Sequence, residues 1–215
     1  MKTQIYNLLI LDKSGSMVSI KEATIAGYNE TVQTIKKAQQ DYEDSQEHLF
    51  SFMAFCGCEK NLIYDKTPID MVQILTATTY RPCCNTPLYD AMGFCITKLR
   101  ADLKNKKDYK VLVTVITDGY ENASKEYNAN SIGKLVEELK GEGWTFTYIG
   151  ANQDVEKVAA EISINNFISY TANAQGTRTM FEHDSKSRER YFSRIANNND
   201  ADLQEDYFIE EKKDK

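Results

Sequence analysis

Proline and glycine are scarce, at 3 and 10 residues in a chain of 215, which excludes a collagen-like or linker-type chain. Histidine is scarcer still: His48 and His183 are the 2 present. Neither adjoins a loop motif, so both read as structural or surface residues and chemistry built on imidazole is not expected. No apolar run approaches the ~20 residues that a bilayer-spanning helix needs. The short run Ile5–Leu11 is followed by Asp12 where a leader peptide would carry a small-residue cleavage site. We read it as a buried strand and expect a cytoplasmic protein with no membrane attachment. Positive charge is in deficit as well, with 26 Lys and Arg against 32 Asp and Glu and a net charge of −6. A nucleic-acid-binding domain is usually basic, and so are segments drawn to anionic lipid, so neither partner is expected. The 5 cysteines are an odd number, which suits a reducing compartment better than a disulfide framework.

What is present describes one globular domain, 41% hydrophobic and 27% charged. Leu8–Leu11 is apolar at every position, the pattern of a strand covered on both faces. Ile25, Tyr28, Val32, Ile35 and Tyr42 mark an amphipathic helix from about Ser19 to Glu47. His48–Cys56 and Asn61–Lys66 predict two strands joined through Gly57. Leu88, Ala91, Met92, Cys95 and Leu99 form a second helical stripe entered at Pro87, a residue suited to a first helical turn. Tyr109–Thr117 is the strongest strand signal. Ile132, Leu135, Val136 and Leu139 predict a helix that stops at Gly141, and Trp144, Phe146 and Tyr148 alternate along another strand. A short helix near Val155–Ile162, a strand near Phe167–Tyr170 and a last helix within Gln175–Ile195 complete the pattern. The middle of that last helix is polar all round. Residues 1–196 are taken as one domain and 197–215 as a polar, charged tail, ordered only around Tyr207–Ile209. Alternating strands and helices imply an α/β fold, doubly wound, with a mostly parallel sheet covered on both faces. Such sheets place their sites at the carboxyl ends of the strands.

Three segments lie at such ends. Asp12-Lys13-Ser14-Gly15-Ser16 follows the first strand, Asp118-Gly119 follows the strongest, and Asn85-Thr86-Pro87 precedes the second helix. One carboxylate and two hydroxyls at alternate positions of a turn can aim their oxygens at one point, and Thr86 and Asp118 arrive from neighbouring loops. The set is all oxygen, which selects a hard cation such as Mg²⁺ or Mn²⁺.

These residues resemble the metal-ion-dependent adhesion site of von Willebrand factor A (integrin I-like) domains. The family's Asp-x-Ser-x-Ser is Asp12, Ser14 and Ser16, its second-loop threonine is Thr86, and its third-loop aspartate is Asp118. The likeness runs over roughly residues 4 to 195. It implies a six-stranded sheet with one antiparallel edge strand at Asn61–Lys66. It implies that Ser14, Ser16 and often Thr86 touch the metal, with the aspartates acting directly or through water. It also implies that an Asp or Glu carboxylate of a partner protein takes the last coordination position. The resemblance extends to bacterial intracellular relatives. Tyr89, Tyr120, Glu121 and Asn122, beside the metal loops, are the expected partner contacts.

Two other functions compete with this one. A metal-assisted phosphohydrolase using Asp12 as nucleophile would need a second acid two residues on, where this chain carries Ser14, whose hydroxyl is no general acid near neutral pH. A scaffold of the same fold without metal would not need the five-residue set. The chain is therefore read as a binding module and not an enzyme. Cys95 belongs to a helical core stripe. Cys56 and Cys58 flank Gly57, and Cys83 and Cys84 precede Thr86, so both pairs fall at the same end of the sheet. Because CxC with CC is not the usual CxxC spacing of a zinc site, buried or idle thiols are expected ahead of a zinc site or a redox disulfide.

Overall fold

A computed structural model describes residues 2–197 together with Leu203, Tyr207 and Phe208. Strand β1, Thr3–Asp12, lies inside the sheet and alternates strictly. Ile5, Leu9 and Leu11 enter one core layer, and Tyr6, Leu8 and Ile10 enter the other. Strands β2 (Gln46–Phe55) and β4 (Tyr109–Thr117) flank it, both parallel to it. Strand β3 (Lys60–Pro68) pairs antiparallel to β2 at one edge. Strands β5 (Trp144–Gly150) and β6 (Asn166–Ser169) continue the parallel sheet beyond β4. The 6-stranded order is β3-β2-β1-β4-β5-β6. Helices α1 (Lys21–Asp41) and α5 (Ala174–Ala196) cover one face. Helices α2 (Leu88–Leu103), α3 (Ala129–Gly141) and α4 (Val155–Glu161) cover the other. The expected doubly wound α/β fold, with one antiparallel edge strand and helices on both faces, is the fold observed.

The first helix is shorter than its periodicity suggests. A 3₁₀ turn spans Gly15–Ile20, and α1 ends at Asp41 rather than near Glu47. The amides of Ser45 and Gln46 both donate to Tyr42 O, which turns the chain into β2. Tyr42 packs on the core, so its place in the apolar stripe marked the end of the helix and not its middle.

The polar middle of α5 has a second explanation. Asp184 and Arg188 are 0% and 2% exposed, facing the sheet as an ion pair. Arg188 Nη2 donates to Asp184 Oδ2 and to Thr114 Oγ1 of β4, each at 3.0 Å. Tyr207, beyond the helix, donates its hydroxyl to Asp184 Oδ1 at 3.1 Å and its amide to Asn166 Oδ1 at 3.1 Å. Thr145 Oγ1 donates to Leu203 O. Segments 198–202, 204–206 and 209–215 of the expected tail, Ile209 included, lie outside the described residues. Leu203, Tyr207 and Phe208 pack against the core.

His48 is part of the same polar seam. Its Nε2 lies 3.0 Å from Gln46 Oε1, its ring meets Phe192 edge-on at 4.5 Å, and Gln46 Nε2 donates to Phe192 O. Burial, with the charge of Arg188, holds its pKa down from 6.5 to about 3. The folded protein therefore keeps the ring neutral where an unfolded chain would protonate it. This contribution is fully present above pH 6.5 and is lost as the pH falls below that value. The slope approaches about 1.4 kcal/mol per pH unit for one such group. Urea unfolding of the wild type and His48→Gln across mildly acidic pH should show the wild type losing more stability than the variant. Parallel curves would refute a buried neutral His48.

Candidate metal centre

Strand β1 delivers Asp12 to the carboxyl end of the sheet, and the side chain then bends the chain behind it. Asp12 Oδ1 accepts from the Ser14 amide at 2.6 Å, an Asx turn that sets up the 3₁₀ segment. The turn brings Ser14 Oγ and Ser16 Oγ to 3.1 Å from each other. Asp12 Oδ2 accepts from Thr117 Oγ1 at 2.7 Å, because the parallel register sets the ends of β1 and β4 side by side. Tyr80 OH donates to Asp12 O at 2.6 Å. The carboxylate is thus held from its own turn and from β4, and its backbone from a third segment.

Asp118, the next residue after β4, accepts from Ser16 Oγ on Oδ1 at 2.5 Å, while Asn152 Nδ2 holds its carbonyl. Thr86 is brought in by a reciprocal pair of bonds. Its amide donates to Asn122 Oδ1 at 2.9 Å and the Asn122 amide donates to Thr86 O at 3.1 Å. Gly119 locates the space between the loops. A Cβ there would sit 3.3 Å from Ser16 Oγ and 3.8 Å from Thr86 Oγ1. All five expected residues, Asp12, Ser14, Ser16, Thr86 and Asp118, therefore meet at one end of the sheet, with Ser16 on its exposed side.

The electrostatics of this cluster leave it short of positive charge. Asp12 and Asp118 are 0% and 1% exposed. Burial pushes Asp12 up to about 6, against the pull of its bonds from Thr117 and Ser14. Burial also raises Asp118, against its bond from Ser16. Lys13, between Asp12 and Ser14, directs its ammonium to Glu59 at 2.5 Å. Two desolvated carboxylates with only hydroxyls and amides around them fit a cation. Their all-oxygen donors fit a hard one.

The rim residues divide. Tyr120 is 60% exposed, and Tyr89 is half-buried. Asn122 is committed to Thr86. Glu121 organises its own loop: Oε1 accepts from the amides of Ala123 and Ser124, both at 2.7 Å, and Oε2 accepts from Ser124 Oγ and the Tyr89 amide. Asp90, 4% exposed, accepts from the amides of Lys125, Glu126 and Tyr127. Thr117, Tyr80 and Asp90 carry the site's support and were not singled out from the sequence for that purpose. The available signal was position: Thr117 precedes Asp118, and Asp90 lies in the first turn of α2, where an acid also reads as a helix-dipole partner.

The cysteines depart from expectation. Cys58 and Cys84 form a disulfide, and the sulfurs of Cys56 and Cys83 lie 3.2 Å apart. Four sulfurs expected to be idle thus gather beside the metal loops. Cys95 is buried in the α2 core layer, and burial pushes its thiol up to about 12.

The chain's likeness to known proteins is specific at the level of family. The description "von Willebrand factor type A domain" matches residues 8–191. No curated protein matches the chain. Among solved structures, it is similar to proximal thread matrix protein 1 from the mussel byssus with a zinc-occupied MIDAS motif, at 14% identity and TM-score 0.55, over 86% of this chain and 46% of that one. This chain thus spans under half of the mussel chain. The SpRpn10 VWA domain matches at 10% identity and TM-score 0.53, over 85% of this chain and 94% of that one. Manganese-loaded Plasmodium vivax TRAP protein matches at 13% identity and TM-score 0.51, over 83% and 72%. At these identities the likeness is one of fold.

The bonds to Glu121 make a prediction independent of any ligand. Glu121→Ala leaves the amides of Tyr89, Ala123 and Ser124 without their acceptor. It should cost about 1–3 kcal/mol of stability and speed hydrogen exchange at Ala123 and Ser124. Unchanged exchange at both amides would show that the loop does not depend on this side chain.

Proposed function

Because the chain belongs to the von Willebrand factor type A domain family, whose members are protein-interaction modules, we propose that it captures an acidic side chain of a partner protein through Mg²⁺ or Mn²⁺. Asp12, Ser14, Ser16, Thr86 and Asp118 would hold the ion. When bound, such an ion supplies an electron-poor position that takes an Asp or Glu oxygen. The observation that carries the reading is the convergence of two buried carboxylates and three hydroxyls from three loops around the space left by Gly119.

The chain's own residues define what the site offers. Asp12 and Asp118 bring at most two negative charges, which neutralise a divalent ion without inverting it. Ser14, Ser16 and Thr86 add oxygen donors and no charge. The overall −6 does not repel an incoming carboxylate strongly, because charges more than ~8 Å away across solvent are screened at physiological salt. Exposed Tyr120, with half-buried Tyr89, would supply the apolar contact beside the ion, a use for which tyrosine is favoured at interfaces. A cytoplasmic setting of the bacterial intracellular type, without membrane attachment, is part of the proposal. Among the described residues, no helix is long and apolar enough to cross a membrane.

No catalysis is part of this proposal. Asp12 is fully buried, and both of its oxygens accept protein hydrogen bonds. It is not presented to a phosphoryl group as a nucleophile must be.

Calorimetric titration of purified protein with Mg²⁺ and Mn²⁺ tests the site. The wild type should give binding heat, and Asp12→Ala should give none while keeping its circular dichroism spectrum. Gly119→Ala, whose methyl crowds Ser16 Oγ at 3.3 Å, should weaken binding by about tenfold, the equivalent of about 1.4 kcal/mol. A partner recovered by the wild type should be released by EDTA. If Asp12→Ala recovers the same partner in EDTA, the metal bridge is wrong.

A further inference from the structure

The cysteines outside the oxygen site form a cluster that the binding function does not use. The sulfurs of Cys56, Cys83 and Cys84 all lie within 4.8 Å of one another, and that of Cys58 is bonded to Cys84. They come from two separate segments, the turn between β2 and β3 and the loop leading to Thr86. We propose that Cys56, Cys58, Cys83 and Cys84 form, in the reduced protein, a tetrathiolate site for a soft divalent cation, Zn²⁺ being the fitting ion.

The geometry supports a metal more fully than a disulfide alone. A single disulfide uses two of the sulfurs and leaves Cys56 and Cys83 as a thiol pair sharing a hydrogen bond at 3.2 Å. Zinc bound to four thiolates at about 2.3 Å places the sulfurs about 3.8 Å from one another. The sulfurs of Cys56, Cys83 and Cys84 already share this space, and Cys58 is held to it through Cys84, so the fourth ligand comes in by rotation of the Cys58 side chain once that bond opens. The backbone of the cluster is already fixed. Cys56 and Glu59 close the turn by reciprocal amide bonds, and Gly57 N donates to Asn85 O at 2.8 Å, joining the two segments directly. Cys84 adopts φ 61°, a left-handed conformation uncommon for a residue with a side chain. Such a conformation persists where its surroundings demand it. Soft sulfur donors set this site apart from the oxygen cluster beside it and select a different ion.

The two sites share backbone. Cys83 N donates to Lys13 O at 2.8 Å, and Gly15 N donates to Cys84 O at 2.9 Å, so the cysteine loop braces the turn carrying Ser14 and Ser16. Filling the sulfur site would stiffen that turn without touching its oxygens.

Metal entry requires the Cys58–Cys84 bond to open. A dithiol reductant delivers two electrons and two protons, making Cys58 and Cys84 thiols, and leaves as its own disulfide. Each of the four thiols then releases its proton to solvent as its sulfur binds the ion.

The test uses the full chain, reduced with excess dithiol, desalted without oxygen and titrated with Co²⁺ as a spectroscopic probe. Sulfur-to-cobalt charge-transfer absorption and strong tetrahedral ligand-field bands should grow to stoichiometric saturation and vanish on adding Zn²⁺. Excess Mg²⁺, which prefers oxygen donors, should leave this signal unchanged, so failure of the oxygen site and failure of the sulfur site are read separately. Cys56→Ser combined with Cys83→Ser should abolish it. In the unmodified chain, Zn²⁺ should protect Cys56, Cys58, Cys83 and Cys84 from alkylation, a readout that does not depend on the variant folding. No charge-transfer absorption in the reduced wild type, or absorption that survives the double substitution, or unprotected cysteines in the presence of Zn²⁺, would overturn the proposal.

Discussion

A carboxylate taken out of water at the end of an interior strand is the constraint on which the candidate site rests. Asp12 is fully buried, and its two oxygens are held from different directions, by the amide of its own turn and by the hydroxyl that ends β4. Burial of this kind is unfavourable for the ionised group unless hydrogen bonds or a cation compensate. The bonds supply part of that compensation and also set the geometry. The Ser14 amide bond turns the chain so that Ser14 and Ser16 face the same point, and the Thr117 bond ties that point to the strand delivering Asp118. A single side chain thus links the sheet's register to the placement of the donors in two loops.

Much of this was legible in the sequence because it depends on local pattern. The uniformly apolar Leu8–Leu11 marked a strand covered on both sides, and the alternating parities of β1 divide between the two core layers. The oxygen donors could be read because each lies at the end of an element whose pattern is strong. The supports of the site were less visible. Tyr80 lies in a segment without regular structure and reaches Asp12 O from 68 residues away, a contact no periodicity encodes. Glu121 read as a rim residue because an acid on a loop is usually solvated, yet its oxygens are filled by neighbouring amides. The position of the cysteines was legible, since both pairs follow elements that end at the same edge of the sheet, but the direct bond from Gly57 N to Asn85 O that joins their two segments is not reported by spacing along the chain.

Helix α5 shows the limit of hydropathy as a guide to burial. Its middle reads as a solvated surface, whereas Asp184 and Arg188 face the sheet as a hydrogen-bonded pair. Buried pairs add little net stability compared with apolar residues of similar shape, but removing one partner is expensive. Here the pair joins Thr114 of the sheet to Tyr207 beyond the helix, close to the neutral His48 and its glutamine partner. On this face a hydrogen-bonded ion pair is therefore set within the apolar packing of Met180, Phe181, Phe192 and Ile195.

That arrangement changes where the cooperative unit ends. Counting helices and strands, the architecture closes at Ala196 with the last turn of α5. The hydroxyl of Tyr207, however, fills one of the acceptors of Asp184, and the Leu203 carbonyl satisfies Thr145 on the inner face of β5. A chain severed after Ala196 would retain every named element, yet it would uncover the aromatic ring and the aliphatic side chain that seal this layer. Leu203 and Tyr207 thus act as pegs set into the underside of the sheet, contributing to its packing from beyond the last helix.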